Sequence, residues 1–132
     1  MEHRALTLEV VEGTYAVCRL GPRDPEPDWA RGGPFVSVTR TEAELSIVCR
    51  EADVPSSHRA EGGWRGLRVR GPLGFGMTGI LASLAAPLAS SGVSIFVVST
   101  YDTDYLLVQE RDLERAKDAL VRAGHAVEAP AR

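Results

Sequence analysis

Asp102 and Asp104 stand one position apart in a polar stretch, Ser99-Thr-Tyr-Asp-Thr-Asp-Tyr105, not far beyond a glycine-rich run, Gly71-Pro-Leu-Gly-Phe-Gly-Met-Thr-Gly-Ile80. The run leads into an apolar segment of helical length. It therefore offers backbone N–H groups at the positive end of a helix dipole, which suits a carboxylate or a phosphate. Paired carboxylates at a hairpin tip can hold a cation or an ammonium group. The two features together describe a site for a small ligand. Each also has a purely structural account: Asp102 and Asp104 can bond their own backbone in a tight turn, and the glycines can serve that turn alone.

Other chemistries are less well provided for. Asp102-x-Asp104 lacks the ligand count of a calcium loop, and no metal is expected. Cys18 and Cys49 sit in separate apolar runs, outside any CxxC pair, and read as buried free thiols. His3, His58 and His125 fall in a terminus, a loop and an edge strand and read as solvated. No Ser/His/Asp or Cys/His set is persuasively spaced, so neither catalysis nor a cofactor is expected.

The elements that must position the acidic tip follow from periodicity. Leu6–Val11 and Tyr15–Leu20 alternate as two strands separated by Glu12-Gly13, and Asp24–Ala30 offers at most a short helix. Phe35–Thr39 and Glu44–Cys49 form a hairpin around Arg40-Thr-Glu42. Ala52–Gly63 reads as a helical turn and a loop. Trp64–Arg70 alternates apolar and cationic residues, as in a strand with one wet face. Thr78 N-caps the longest helix, which runs to Ser91 with Ile80, Leu81, Leu84 and Leu88 on one side and Pro87 weakening its last turn. Val93–Ser99 and Asp104–Gln109 form a second hairpin, Asp112 caps a helix over Leu113–Ala123, and His125–Glu128 adds a short strand. Tyr101 and Tyr105 share a face and suit core or dimer contacts. The order implies an α+β fold in which antiparallel strands carry helices on one face.

Gly74-x-Gly76-x-x-Gly79 also matches the dinucleotide fingerprint, with Asp102 at a suitable distance beyond it. The match is refused on physical grounds. A central parallel strand should be continuously apolar, whereas Arg65, Arg68 and Arg70 punctuate the preceding one. The following strand also returns directly as a hairpin instead of feeding another helix.

Composition sets outer bounds. The 132 residues carry 15 basic and 18 acidic side chains, a net charge of -3, which disfavours a nucleic-acid backbone as main partner. Arg65, Arg68 and Arg70 form the one local basic cluster, read as a solvated strand face and not a phosphate patch. No apolar run reaches the roughly 18 residues that span a bilayer, and Met1-Glu-His-Arg begins no signal peptide, so a cytoplasmic protein is expected.

Phe75-Gly-Met-Thr-Gly-Ile-Leu-Ala-Ser83, Gly92-Val-Ser-Ile95 and Ser99-Thr-Tyr-Asp-Thr-Asp-Tyr-Leu-Leu-Val108 resemble tandem ACT-domain proteins related to the CASTOR arginine sensors and the ACT domains of aspartate kinases. Gly63-Trp-Arg-Gly-Leu-Arg-Val-Arg-Gly71 and the two strands of the first hairpin share the likeness. The resemblance implies two ferredoxin-like βαββαβ ACT modules in tandem, a degenerate one over 1–62 and a complete one over 63–132. It implies a non-catalytic regulatory protein, a homodimer that binds a free amino acid at an interface between modules and passes an allosteric change to a downstream protein. The ligand contacts it implies are Met77, Thr78, Gly79 and Ile80, then Ser99, Thr100, Tyr101, Asp102 and Asp104. The runner-up expectation is a protein-interaction dimer module whose ligand site has decayed.

Overall fold

A computed structural model describes residues 5–74 and 76–130; His3 and Phe75, named above, lie outside the described residues. Seven strands and two helices follow in the order β1 (Thr7–Leu20), β2 (Ser37–Arg40), β3 (Leu45–Arg50), β4 (Ala60–Val69), α1 (Ile80–Ser90), β5 (Ile95–Ser99), β6 (Asp104–Gln109), α2 (Leu113–Arg122) and β7 (Ala126–Glu128). The chain divides into two compact units. One is Gly13–Trp64; the other joins the segment up to Glu12 to everything from Arg65 onward.

In the larger unit the strand order is β7-β1-β4-β6-β5. The β5–β6 hairpin is antiparallel, and β7 lies parallel to the first residues of β1, with Thr7 opposite Ala126. Period-2 spacing turns Leu6, Leu8 and Val10, Leu67 and Val69, and Leu106 and Val108 to one face, where they pack on Leu84 and Leu88 of α1 and Ala116, Ala119 and Leu120 of α2. Helices thus cover one face of this sheet, as its alternation requires. Arg68, which alternates with Leu67 and Val69, faces away from them, and the cationic residues in and just after β4 are ion-paired: Arg68 with Glu9 at 2.8 Å, Arg65 with Glu110 at 3.8 Å, and Arg70 with Glu128.

Two expectations need correction. Gly13, at φ +101°, sits inside a continuous β1 instead of closing a turn between two strands, because a glycine at positive φ can be absorbed within a ladder. His125 is buried, not solvated. Its Nδ1 accepts the Leu6 N–H at 3.1 Å, which leaves the ring proton on Nε2, facing the Ser83 carbonyl at 3.1 Å. The Ser83 carbonyl needs this donor. Its ordinary helical partner would be the N–H four residues on, and that residue is Pro87, which has none. The weakened last turn expected from Pro87 is thus offset from outside the helix.

In the smaller unit the second part of β1 pairs antiparallel with β3, Tyr15 opposite Arg50 through Leu20 opposite Leu45, and β3 pairs antiparallel with β2. Thr41 closes the β2–β3 turn as expected, its hydroxyl oxygen accepting the N–H groups of Ala43 and Glu44 at 3.1 and 3.2 Å. Asp24–Pro27 is irregular and Asp28–Ala30 forms a turn, with no helix, since Pro27 disfavours helical backbone at Glu26 before it. β4 begins at Ala60, inside the segment expected to be a loop. Arg50 packs against Gly32 and Gly33 and donates from Nε to Asp53 at 2.8 Å. Gly33 stands at φ +88°, a conformation strained for any residue with a side chain, and a Cβ there would also lie 2.7 Å from the Arg50 Cδ.

Cys18 and Cys49 are buried free thiols in the core of this unit, beside Ala16, Leu45 and Ile47. In the ladder Cys18 faces Ile47 and Ala16 faces Cys49, which makes the two thiols diagonal neighbours on one face. Burial pushes both up from the ordinary thiol value, Cys49 to about 12, with the Cys18 thiol adding to the effect on Cys49.

Two outcomes follow from these buried groups. His125→Leu, which orphans the Leu6 N–H and the Ser83 carbonyl, should lower unfolding free energy by roughly 2–4 kcal/mol in urea titrations. The raised thiols favour the proton-bound fold, so their contribution to stability should be constant below about pH 9 and be lost as pH rises through 9 toward 12. Urea midpoints across that range, compared with a Cys18→Ala, Cys49→Ala variant, measure it; an equal fall in the variant would exclude the thiols.

Candidate functional site

Between β4 and α1 the described residues of the segment 71–79 form no helix or strand, and Leu73 bonds to the β5–β6 hairpin tip. The tip is built by Thr100, whose N–H and hydroxyl both donate to the Thr103 carbonyl, at 2.8 and 3.0 Å. At its base Ser99 and Asp104 face each other across the ladder, and the Ser99 hydroxyl donates to Asp104 Oδ1 at 2.6 Å.

Two further bonds fasten the tip to its surroundings. The Leu73 N–H donates to the Asp102 carbonyl at 2.7 Å, and the buried Thr103 hydroxyl donates to the Val69 carbonyl at 2.5 Å. Gly71 makes this approach possible, because a Cβ there would lie 2.9 Å from the Asp102 carbonyl oxygen and 3.3 Å from the Thr103 Cβ. On the loop side a turn from Gly74 to Met77 closes with the Met77 N–H on the Gly74 carbonyl at 3.0 Å, and the Gly74 N–H meets the Met77 sulfur at 3.1 Å.

An open cleft of about 200 Å³ lies between loop and tip, lined by Leu73, Gly74, Met77, Ile80 and Ser99 through Asp104. Of the nine expected contacts, Met77, Ile80, Ser99, Thr100, Tyr101, Asp102 and Asp104 line it. Thr78 and Gly79 are exposed and do not. Leu73, Gly74 and Thr103 line it without having been anticipated. For Thr103 no sequence signal exists, since one Thr in a polar tip looks like any other; for Leu73, an apolar residue between two glycines is a weak one. The lining divides chemically: Leu73, Met77 and Ile80 give an apolar wall, and Asp102 and Asp104 give carboxylates with no cationic side chain among the lining residues.

Several expected details are corrected. The residue that caps α1 is Gly79 at φ +76° and not Thr78, since a left-handed residue must precede Ile80 and only glycine adopts it without strain. Gly76 and Gly79 have open space where a Cβ would stand, whereas Gly71 is crowded. Tyr101 is 80% exposed in the turn and belongs to no core, while Tyr105 is half-buried in β6. Asp112 holds the cap position of α2, but its carboxylate pairs with Arg115 at 2.8 Å instead of with the helix backbone. The antiparallel hairpin after α1 also removes the parallel strand order that a dinucleotide fingerprint requires.

The model for the ACT domain matches residues 59–122, which takes in β4, the loop, α1, the hairpin and α2, and a second family model, described as an N-terminal domain, matches residues 13–57. That stretch of the chain, residues 59–122, belongs to the ACT-domain family. The rat cytosolic arginine sensor for mTORC1 subunit 1 is 43% identical over 97 residues, 67% of this chain and 29% of the sensor. An Agobacterium tumefaciens protein solved by X-ray crystallography is 42% identical, with a TM-score of 0.92 over 98% of this chain and 97% of its own. The regulatory subunit of Thermus thermophilus aspartate kinase shares the fold at 12% identity, with a TM-score of 0.62 over 91% of this chain and 99% of its own. The chain spans between 27% and 56% of the length of the curated relatives it matches. The cleft thus lies wholly within the stretch that matches the ACT domain, and none of the described helices is long and apolar enough to cross a membrane.

The contact at Gly71 has a direct consequence. Gly71→Ala should destabilise the fold by about 1–3 kcal/mol, because the new Cβ meets backbone that has no rotamer in which to retreat. Urea denaturation checks it, with Gly76→Ala as a control expected to change little, its Cβ meeting nothing within 4 Å.

Proposed function

We propose that the chain is a non-catalytic regulatory protein whose ACT domain binds a free amino acid in the cleft between the Gly71–Gly79 loop and the β5–β6 tip. The observation that carries this reading is the lining itself, a pair of carboxylates without a cation facing a short apolar wall beside a helix start. In a helix capped at Gly79 the N–H groups of Ile80 and the next two residues lack intrahelical acceptors. They receive the α-carboxylate, with Thr78 and Gly79 shaping the approach. Asp102 and Asp104 take the α-ammonium. Ser99 orients Asp104 by occupying one of its oxygens, Thr100 fixes the turn, and Tyr101 and Met77 flank the opening.

In this reading the chain holds two ferredoxin-like modules, a reduced one over 1–62 whose first strand is lent to the core of the other, and an ACT domain over 63–132, and a second copy of the chain closes the open side of the cleft. Ligand binding at that interface between modules then changes dimer geometry allosterically, which a downstream protein detects. A cytoplasmic setting agrees with the name of the cytosolic sensors, and arginine is the first amino acid to try for the same reason. One observation favours a second reading: Gly13–Trp64 contains no α-helix, as a module reduced to protein-interaction duty would.

Native mass spectrometry before and after denaturation, followed by calorimetric titration with each of the twenty protein amino acids, separates the two readings. The proposal expects a dimer and one amino acid that binds, with affinity reduced about tenfold or more in Asp102→Asn and in Asp104→Asn, since each removes a charge-assisted bond. A dimer that takes up none of them supports the interaction module, and a monomer removes the shared site.

A further inference from the structure

We infer that Thr103, through its buried hydroxyl, is the positioning residue that sets the distance between the two walls of the cleft, an inference that rests on the amino-acid-binding reading above. Thr103 lines the cleft but its hydroxyl points away from it, donating to the carbonyl of Val69, the last residue of β4, at 2.5 Å. The residue is only 4% exposed. It therefore ties the hairpin tip to a strand end that is itself fixed, since the neighbouring Arg70 N–H donates to the Thr7 carbonyl at 2.8 Å and the Val69 side chain is fully buried in the core.

The next link is main-chain. Asp102, adjacent to Thr103, accepts the Leu73 N–H at 2.7 Å, and Leu73 begins the opposite wall. β4, the tip and the loop are thus joined in series: Val69 carbonyl to Thr103 hydroxyl, and Asp102 carbonyl to Leu73 N–H. Gly71 completes the device by leaving room for it, a Cβ there falling within 3.3 Å of both Asp102 and Thr103. Thr100 tightens the same turn, its oxygen accepting the Thr103 N–H at 3.3 Å. A ligand held by both walls binds well only if their spacing is fixed in advance, because any freedom left in the tip must be lost on binding. Asp102 sits on the segment that Thr103 anchors, so the hydroxyl governs where that carboxylate stands without touching a ligand.

The test compares Thr103→Val, which keeps shape and removes the hydroxyl, with Thr103→Ser, which keeps the hydroxyl. Amide hydrogen exchange at Leu73 reads the loop-to-tip bond directly, and calorimetric titration with each of the twenty protein amino acids reads the cleft. Thr103→Val should speed Leu73 exchange about tenfold and weaken amino-acid binding about tenfold, while exchange in the α2 core changes little; Thr103→Ser should restore both. Unchanged Leu73 exchange in Thr103→Val, or a serine variant as impaired as the valine one, would overturn the inference. So would wild-type affinity in Thr103→Val. If the wild type binds no amino acid, the functional reading fails, and Leu73 exchange alone still decides whether Thr103 sets the cleft.

Discussion

The Ser83 carbonyl is the constraint around which the larger unit is organised. Pro87 cannot supply the N–H that this carbonyl would accept in an unbroken helix, and a carbonyl left without a donor inside a packed helix–sheet interface costs on the order of 1–3 kcal/mol. His125 supplies it from the far end of the chain, and its other ring nitrogen accepts the Leu6 N–H at the entry to β1. One imidazole therefore joins α1, the start of β1 and the start of β7. The same junction explains why the first residues of the chain belong with its last: Leu6, Leu8 and Val10 complete the core under α1 and α2, and Thr7–Glu9 pair with Ala126–Glu128.

That junction also fixes the helix whose start borders the cleft. α1 has no charged residue along its length, and its inward side chains Ile80, Leu84 and Leu88 are held by the sheet, so its first turn is presented as a fixed object. The opposing wall has no such backing from hydrophobic burial, since Ser99 through Asp102 are exposed. Its geometry comes from hydrogen bonds within the tip and from the two that tie it to Val69 and Leu73. One side of the cleft is positioned by packing and the other by polar contacts. A polar wall of this kind can be retuned by single substitutions, whereas the helix side cannot change without disturbing the core.

The smaller unit solves a different problem. With few residues to bury, it relies on the β1–β3 ladder, the edge-on pair of Tyr15 and Phe35, and charged side chains folded onto glycines. Arg50 lies across Gly32 and Gly33 and pairs with Asp53, while Glu51 accepts the Gly63 N–H at 2.9 Å. These contacts hold a unit that contains no α-helix.

Much of this was legible in the sequence. Period-2 spacing in Leu6–Val10, Leu67–Val69 and Leu106–Val108 and helical spacing in Ile80–Leu88 select the strands, the helices and the faces they bury, because those patterns depend only on local geometry. The polar tip and the glycine-rich loop were likewise recognisable as turn segments, since turn chemistry is local too. What the tertiary structure decided are the pairings across long separations. His125 looks like a solvated residue of an edge strand until Pro87 and Leu6 are brought to it, and Thr103 looks like an ordinary turn residue until Val69 stands 2.5 Å from its hydroxyl. The need for glycine at 71 arises in the same way, from the Asp102 carbonyl that stands where its Cβ would be. A sequence specifies which donors and acceptors exist; only the folded chain determines which of them are left for one another.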